Sequence, residues 1–222
     1  SLVGSEMCIR DRDVAPLNIL LAHIVADHSF TNNTKIRKYS GIKLLGHIVW
    51  SFLALLAFCF DTVFKTLPGT TLFLSFFALH AVVDLLRPRF QTRKCILNLL
   101  EVISLSGAIV VNLLSFEYLK GSFVSPEFVF YLLGMSIVAV GPTYFLRNFY
   151  SGKEDIEDLD GISERLAIFI FLIAGRFELV ALSVVGALLY RLIFVKKPDH
   201  VWWISPTFGL LISVLWKWML YS

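Results

Sequence analysis

The sequence predicts an all-α, polytopic transmembrane helix bundle of about eight spans, and three observations point to it. Of 222 residues, 57% are hydrophobic and only 17% charged, against about 45–50% and about 25% in soluble domains. Mean hydropathy is +0.74. Apolar runs recur at lengths that suit roughly 30 Å of hydrocarbon. The same composition, with 20 Phe and 7 Pro, excludes disordered, collagen-like and coiled-coil chains. A net charge of +3, scattered and without stacking aromatics in a polar setting, leaves no nucleic-acid footprint. Cys8, Cys59 and Cys95 are too far apart for a disulfide framework or a metal ribbon.

Residues 1–12, SLVGSEMCIRDR, resemble the translated read-through of a sequencing adapter and are set aside as an artefact, so the natural N-terminus is expected to be missing. The first block, 13–150, carries five expected spans at 14–30, 42–60, 70–86, 95–115 and 128–146. An acidic stretch, SGKEDIEDLD at 151–160, reads as a solvated cytoplasmic linker. The second block, 161–222, carries three spans at 162–175, 177–195 and 201–221. The sixth is short enough to be a tilted span or a re-entrant half-span, and the second alternative would make Arg176 and Glu178 an intramembrane pair.

Lys and Arg orient the spans. With the first helix starting outside, 14 basic residues fall on inner connections, including Lys35, Arg37, Lys38, Lys43 and Arg87, and 4 on outer ones. Trp202 and Trp203 at one end of the last span, with Trp216, Trp218 and Tyr221 at the other, read as interfacial belts. Both termini are therefore expected outside.

Ionisable side chains within spans are costly and mark candidate sites. His23 with Asp27 and His80 with Asp84 form two HxxxD pairs, each on one helical face. His47 follows the first pair by 20 residues and Glu101 follows the second by 17, which suggests a pseudo-repeat of the first two helix pairs. In the orientation set by Lys and Arg, all of these groups fall within about 10 Å of the cytoplasmic surface. Imidazoles with carboxylates suit a divalent Zn, Mn or Fe ion, and an ion with open positions generates a hydroxide nucleophile. Interhelical hydrogen bonding is the competing account. His28 should point about 100° from Asp27 and act as an interfacial residue. Glu164 and Arg165 read as helix-terminal groups, the arginine snorkelling, and Gly134, Gly141 and Gly186 as helix-packing positions.

The strings LLAHIVADHSF, GHIVW and FFALHAVVDLLRP resemble the first three signatures of a bacterial integral membrane family of unestablished activity, catalogued as domain of unknown function 3307. GISERL, AGRFE, YR at 190–191 and GLLIS are similar to the C-terminal extension of its longer members, although Ala187 stands where a Lys is expected. In the fourth signature the family has Asp-Gln and then a His, whereas this chain has Asn98, Leu99 and Val102. Either Glu101 stands in for the missing group, or a ligand and any activity have been lost. The resemblance implies a bacterial inner-membrane protein. Its polar pattern is similar to membrane-embedded metal-dependent hydrolases.

The sequence thus favours a metal-binding, hydrolase-like site near the cytoplasmic leaflet, with His23, Asp27, His47, His80, Asp84 and Glu101 as metal ligands or their partners. Membrane lipids are the expected surroundings, and a lipid headgroup or phosphorylated lipid the expected substrate. The alternatives are a membrane transporter, disfavoured because the cluster lies nearer one surface than the midplane, and a non-enzymatic scaffold or regulator.

Overall fold

A computed structural model describes residues 14–29, 33–149, 158–195 and 201–221, and every regular element among them is helical. Two compact units are present, Val14–Leu133 and Gly134–Ser222. The first contains α1 (Asn18–Ile24), which runs into a π turn (Val25–Ser29), a short α2 (Asn33–Ile36), α3 (Gly41–Val63), and α4 (Leu67–Leu86) with a 3-10 turn (Arg87–Phe90). It continues with α5 (Lys94–Leu114) and a short α6 (Phe116–Leu119). The boundary between the units falls inside α7 (Pro126–Phe149). The second unit adds α8 (Leu159–Ile173), α9 (Phe177–Tyr190) with a π turn (Arg191–Val195), and α10 (Val201–Tyr221).

Six helices are long and apolar enough to cross a membrane: Gly41–Val63, Leu67–Phe90, Lys94–Leu114, Pro126–Phe149, Phe177–Val195 and Trp202–Tyr221. The other two expected spans form shorter helices. α1 has 7 residues and its π turn 5, and α8 has 15, which gives about 18 and about 22 Å at 1.5 Å per residue. The apolar run at the start of the first expected span includes residues 14–17, which are not helical.

In the first unit α1 packs on α3 and α5, and α4 packs on the same two, closing a four-helix ring. Ile19, Leu55, Cys59, Phe73, Phe76 and Ala108 fill its core. Polar residues lie inside, while Leu45, Val49, Leu53 and Phe60 of α3 face outward, a distribution suited to lipid contact. α1 starts within this bundle, where its first amides lack intrahelical partners. Asn112 of α5 supplies them: Oδ1 accepts from the amides of Ile19 (3.0 Å) and Leu20 (3.4 Å), and Nδ2 donates to Pro16 O (2.8 Å). Gly107 lets α5 approach Leu79 of α4, whose Cδ2 would lie 2.6 Å from an added Cβ.

In the second unit α8 packs against both α9 and α10. Two helices of this unit contain internal prolines, Pro142 in α7 and Pro206 in α10. Proline has no N–H, so each orphans the carbonyl four residues earlier. Arg165 Nε donates to Val138 O at 3.0 Å, and Arg191 Nη1 donates to Trp202 O at 3.0 Å. Each proline is thus matched by an arginine from another helix. Arg165 also reaches Ala139 O (2.7 Å), Thr143 Oγ1 (2.8 Å), Ser205 Oγ (2.7 Å) and Asp158 Oδ2 (2.9 Å), and Arg191 pairs with Glu164.

These contacts correct the snorkelling expected of Arg165, which is fully buried, and the terminal role expected of Glu164, whose partner is a side chain. A Cβ at Gly134 would collide with Trp216 and Phe169, so that glycine is a packing position, whereas Gly141 and Gly186 face no other helix at that range. Trp203 and Trp218 face outward, but Trp202 and Trp216 are buried. Arg176 and Glu178 lie 3.6 Å apart and are both exposed. The segments 1–12 and 151–157, with Lys196, Lys197 and His200, lie outside the described residues.

Arg165→Met should destabilise the protein by about 3–5 kcal/mol, because it strands Asp158 as well as the carbonyls. In a Pro142→Ala background, residue 142 regains an N–H for Val138 O, and the loss should shrink by about 1 kcal/mol. Denaturant titration of the four proteins in mild detergent measures the coupling. Strictly additive losses would show that the guanidinium does not replace the missing amide.

Candidate metal centre

The sequence-predicted site residues sit at one end of the four-helix ring. His47 lies near the start of α3, His80 and Asp84 near the end of α4, Glu101 near the start of α5, and Asp27 in the π turn that ends α1. His23, Asp27, His47, His80 and Asp84 are all at most 4% exposed, and Glu101 is 9%. Antiparallel neighbours bring ends and starts together, so Asp27 and Asp84, 57 positions apart in sequence, meet in one place.

Four donor atoms converge. Asp27 Oδ1 lies 3.4 Å from His47 Nε2 and 3.2 Å from His80 Nε2, and Asp84 Oδ2 lies 3.6 and 3.4 Å from the same two nitrogens. Together they form a group able to hold a metal ion. A tetrahedral site with bonds of about 2.0–2.1 Å has ligand-to-ligand edges of about 3.3–3.4 Å, close to all four separations. Interhelical hydrogen bonding fits less well. His47 Nε2, His80 Nε2 and Asp84 Oδ2 are buried and meet the facing groups at 3.2–3.6 Å without good hydrogen-bond geometry, although such groups are ordinarily well satisfied.

The opposite edges of the carboxylates are held by Arg87, which the sequence reading counted only as a topology marker. Its Nη2 lies 2.8 Å from Asp27 Oδ2 and its Nη1 2.5 Å from Asp84 Oδ1. Each aspartate therefore keeps one oxygen on the guanidinium and turns the other toward the imidazoles. His80 is oriented likewise, with Nδ1 3.1 Å from Ser104 Oγ of α5, the kind of second contact that fixes which imidazole nitrogen serves a metal. A signal was present in the sequence: Arg87 is three residues after Asp84, on the same helical face.

His23 and Glu101 stand apart from this group of four. His23 belongs with Asp27 and His28 in a second group able to hold an ion, and its ring centroid is 5.3 Å from that of His80. The π turn begins at Val25, between His23 and Asp27, whose donor atoms still lie within 4.8 Å of each other. The same turn brings His28 inward, to 3.8 Å from Glu101 Oε2, rather than leaving it at an interface. Glu101 accepts from Arg37 Nε at 3.2 Å, with Arg87 Nη2 at 3.7 Å, and Asn98 accepts from Arg37 Nη2 at 3.1 Å. Arg37 was also read only as a topology marker.

An open surface recess of about 580 Å³ is lined by Lys35, Lys38, Tyr39 and Lys43. The Tyr39 ring stands edge-on to His47, with centroids 6.2 Å apart. Comparison with protein-family models, curated proteins and solved structures returned no match.

Arg87→Met leaves two buried carboxylates without their counter-ion and should cost about 3–5 kcal/mol in chelator-treated protein. Added Zn should recover part of that loss by supplying positive charge to the same oxygens. Thermal melts with and without Zn read both effects, and a metal-free loss under about 1 kcal/mol would mean that the guanidinium does not stabilise the pair.

Proposed function

We propose that this chain is a multi-pass protein of the bacterial inner membrane, carrying a metal-dependent, hydrolase-like site that acts on a phosphorylated lipid at the cytoplasmic leaflet. The observation that carries the reading is the convergence of two imidazole nitrogens and two aspartate oxygens in a buried centre whose outward edges are already held by Arg87. The eight-crossing topology with both termini outside, the pseudo-repeat and membership of the domain of unknown function 3307 belong to the same proposal. They are supported by the basic-residue asymmetry and the two HxxxD strings.

Asp27, His47, His80 and Asp84 would hold a divalent Zn, Mn or Fe ion, which would supply Lewis acidity and, at a coordination position left open, an activated water. The residues of the chain do the rest. Arg87 fixes both carboxylates, Ser104 fixes the His80 ring, and the buried setting strengthens charge interactions in the centre. Lys35, Lys38 and Lys43 offer cationic donors to a phosphate in the surface recess, and Tyr39 connects that recess to His47. Basic recesses at a cytoplasmic membrane surface suit anionic headgroups.

Protein purified in mild detergent without chelator should contain bound Zn, Mn or Fe, lost in His47→Ala and in His80→Ala. In nanodiscs it should release phosphate or headgroup from an anionic phospholipid, and Lys38→Glu should raise KM about tenfold with little change in kcat. Unchanged metal content in both histidine variants overturns the reading. Ion uptake into proteoliposomes that Asp27→Asn abolishes, without hydrolysis, would favour a transporter instead.

A further inference from the structure

The metal reading leaves His23 unexplained. This imidazole is buried, and neither ring nitrogen makes a hydrogen bond. Buried polar groups without partners are rare in native proteins and call for a reason. Its neighbours are themselves potential ligands: the ring stands edge-on to His80 at 5.3 Å and to His28 at 6.1 Å between centroids.

We propose that the centre is dinuclear, with Asp27 shared between one divalent ion held by His47, His80 and Asp84 and a second held by His23 and His28. The proposal rests on the metal reading and extends it. Donor atoms of His23, Asp27 and His28 all lie within 4.8 Å of one another, and Asp27 is common to both groups. An ionised carboxylate offers about four lone-pair sites, enough to accept from Arg87 and still serve two ions. The π turn makes the arrangement accessible. It places consecutive residues Asp27 and His28 toward one centre, and Ser29 Oγ donates 3.3 Å to Ile24 O, five residues back, across the widened turn. Single π turns inside helices are frequent at functional sites.

The two positions differ in ligand supply. The first has four protein donors, with histidine-to-aspartate separations of 3.2–3.6 Å. The second has two imidazoles and one carboxylate, with Glu101 Oε2 3.8 Å from His28 Nε2 as a further candidate. Two imidazoles and one carboxylate, with positions left open, suit Fe or Mn as well as Zn. Open positions there would admit water or a phosphate oxygen, and two ions so held would supply the charge stabilisation that a phosphoester displacement needs. Glu101, which the four-donor group excludes, meets His28 on this side and is itself paired with Arg37.

The test is the number of ions per chain. Detergent-purified protein is equilibrated with Mn, freed of excess by gel filtration, and measured by elemental analysis and by electron paramagnetic resonance. Wild type should hold two ions with an exchange-coupled spectrum. His23→Ala and the more conservative His23→Gln should each hold one, with an uncoupled spectrum. The Gln variant guards against a folding failure of the Ala variant, and a thermal melt checks both. One ion in wild type, or two retained in His23→Gln, overturns the dinuclear proposal and leaves the single-metal reading standing. No ion in wild type overturns both.

Discussion

The guanidinium of Arg87 is the contact on which the centre depends. Two aspartates from different helices cannot be buried side by side as bare anions, since like charges at short range in a poor dielectric repel strongly. One planar cation bonded to both, with its fork spanning Asp27 and Asp84, removes that obstacle and sets their rotation. The oxygens left over then face His47 and His80. Without Arg87 the carboxylates would lose the bonds that hold their outer edges and fix the direction of the inner ones.

The same rule, that polar groups removed from water must find partners inside the protein, orders the second unit by different means. There the groups in need are backbone carbonyls. Pro142 and Pro206 create them, and Arg165 and Arg191 meet them, with Asp158 and Glu164 as counter-ions. One unit uses an arginine to hold side chains and the other uses arginines to mend helices. In both, the cation works from inside the bundle.

Much of this was legible in the sequence, and the parts that were not share a cause. His80 and Asp84 could be placed on one face because α4 is regular there, and His47 could be added from its depth alone. His23 was placed beside Asp27 by the same arithmetic and does lie there, but no residue in VADHS announces the π turn that also brings His28 inward. Arg37, Arg87, Arg165 and Arg191 were all read through the asymmetry of basic residues across a membrane. That count treats an arginine as a label for a side and is blind to one that turns inward. The prolines carried the missing information for two of them. Within an apolar run a proline frees a carbonyl four residues back, and an arginine nearby in another helix is a candidate to cover it.

Asn112 bears on the order in which the first unit is assembled. α1 comes early in the chain, yet the amides at its start bond to a side chain on α5 more than 90 residues later. Until α5 is made and in place, the buried end of α1 lacks its cap, and a helix of 7 residues has little stability of its own. The longer neighbours α3, α4 and α5 can each form alone. The cap on α1, the helix that carries Asp27 to the centre, is therefore complete only with α5 in place.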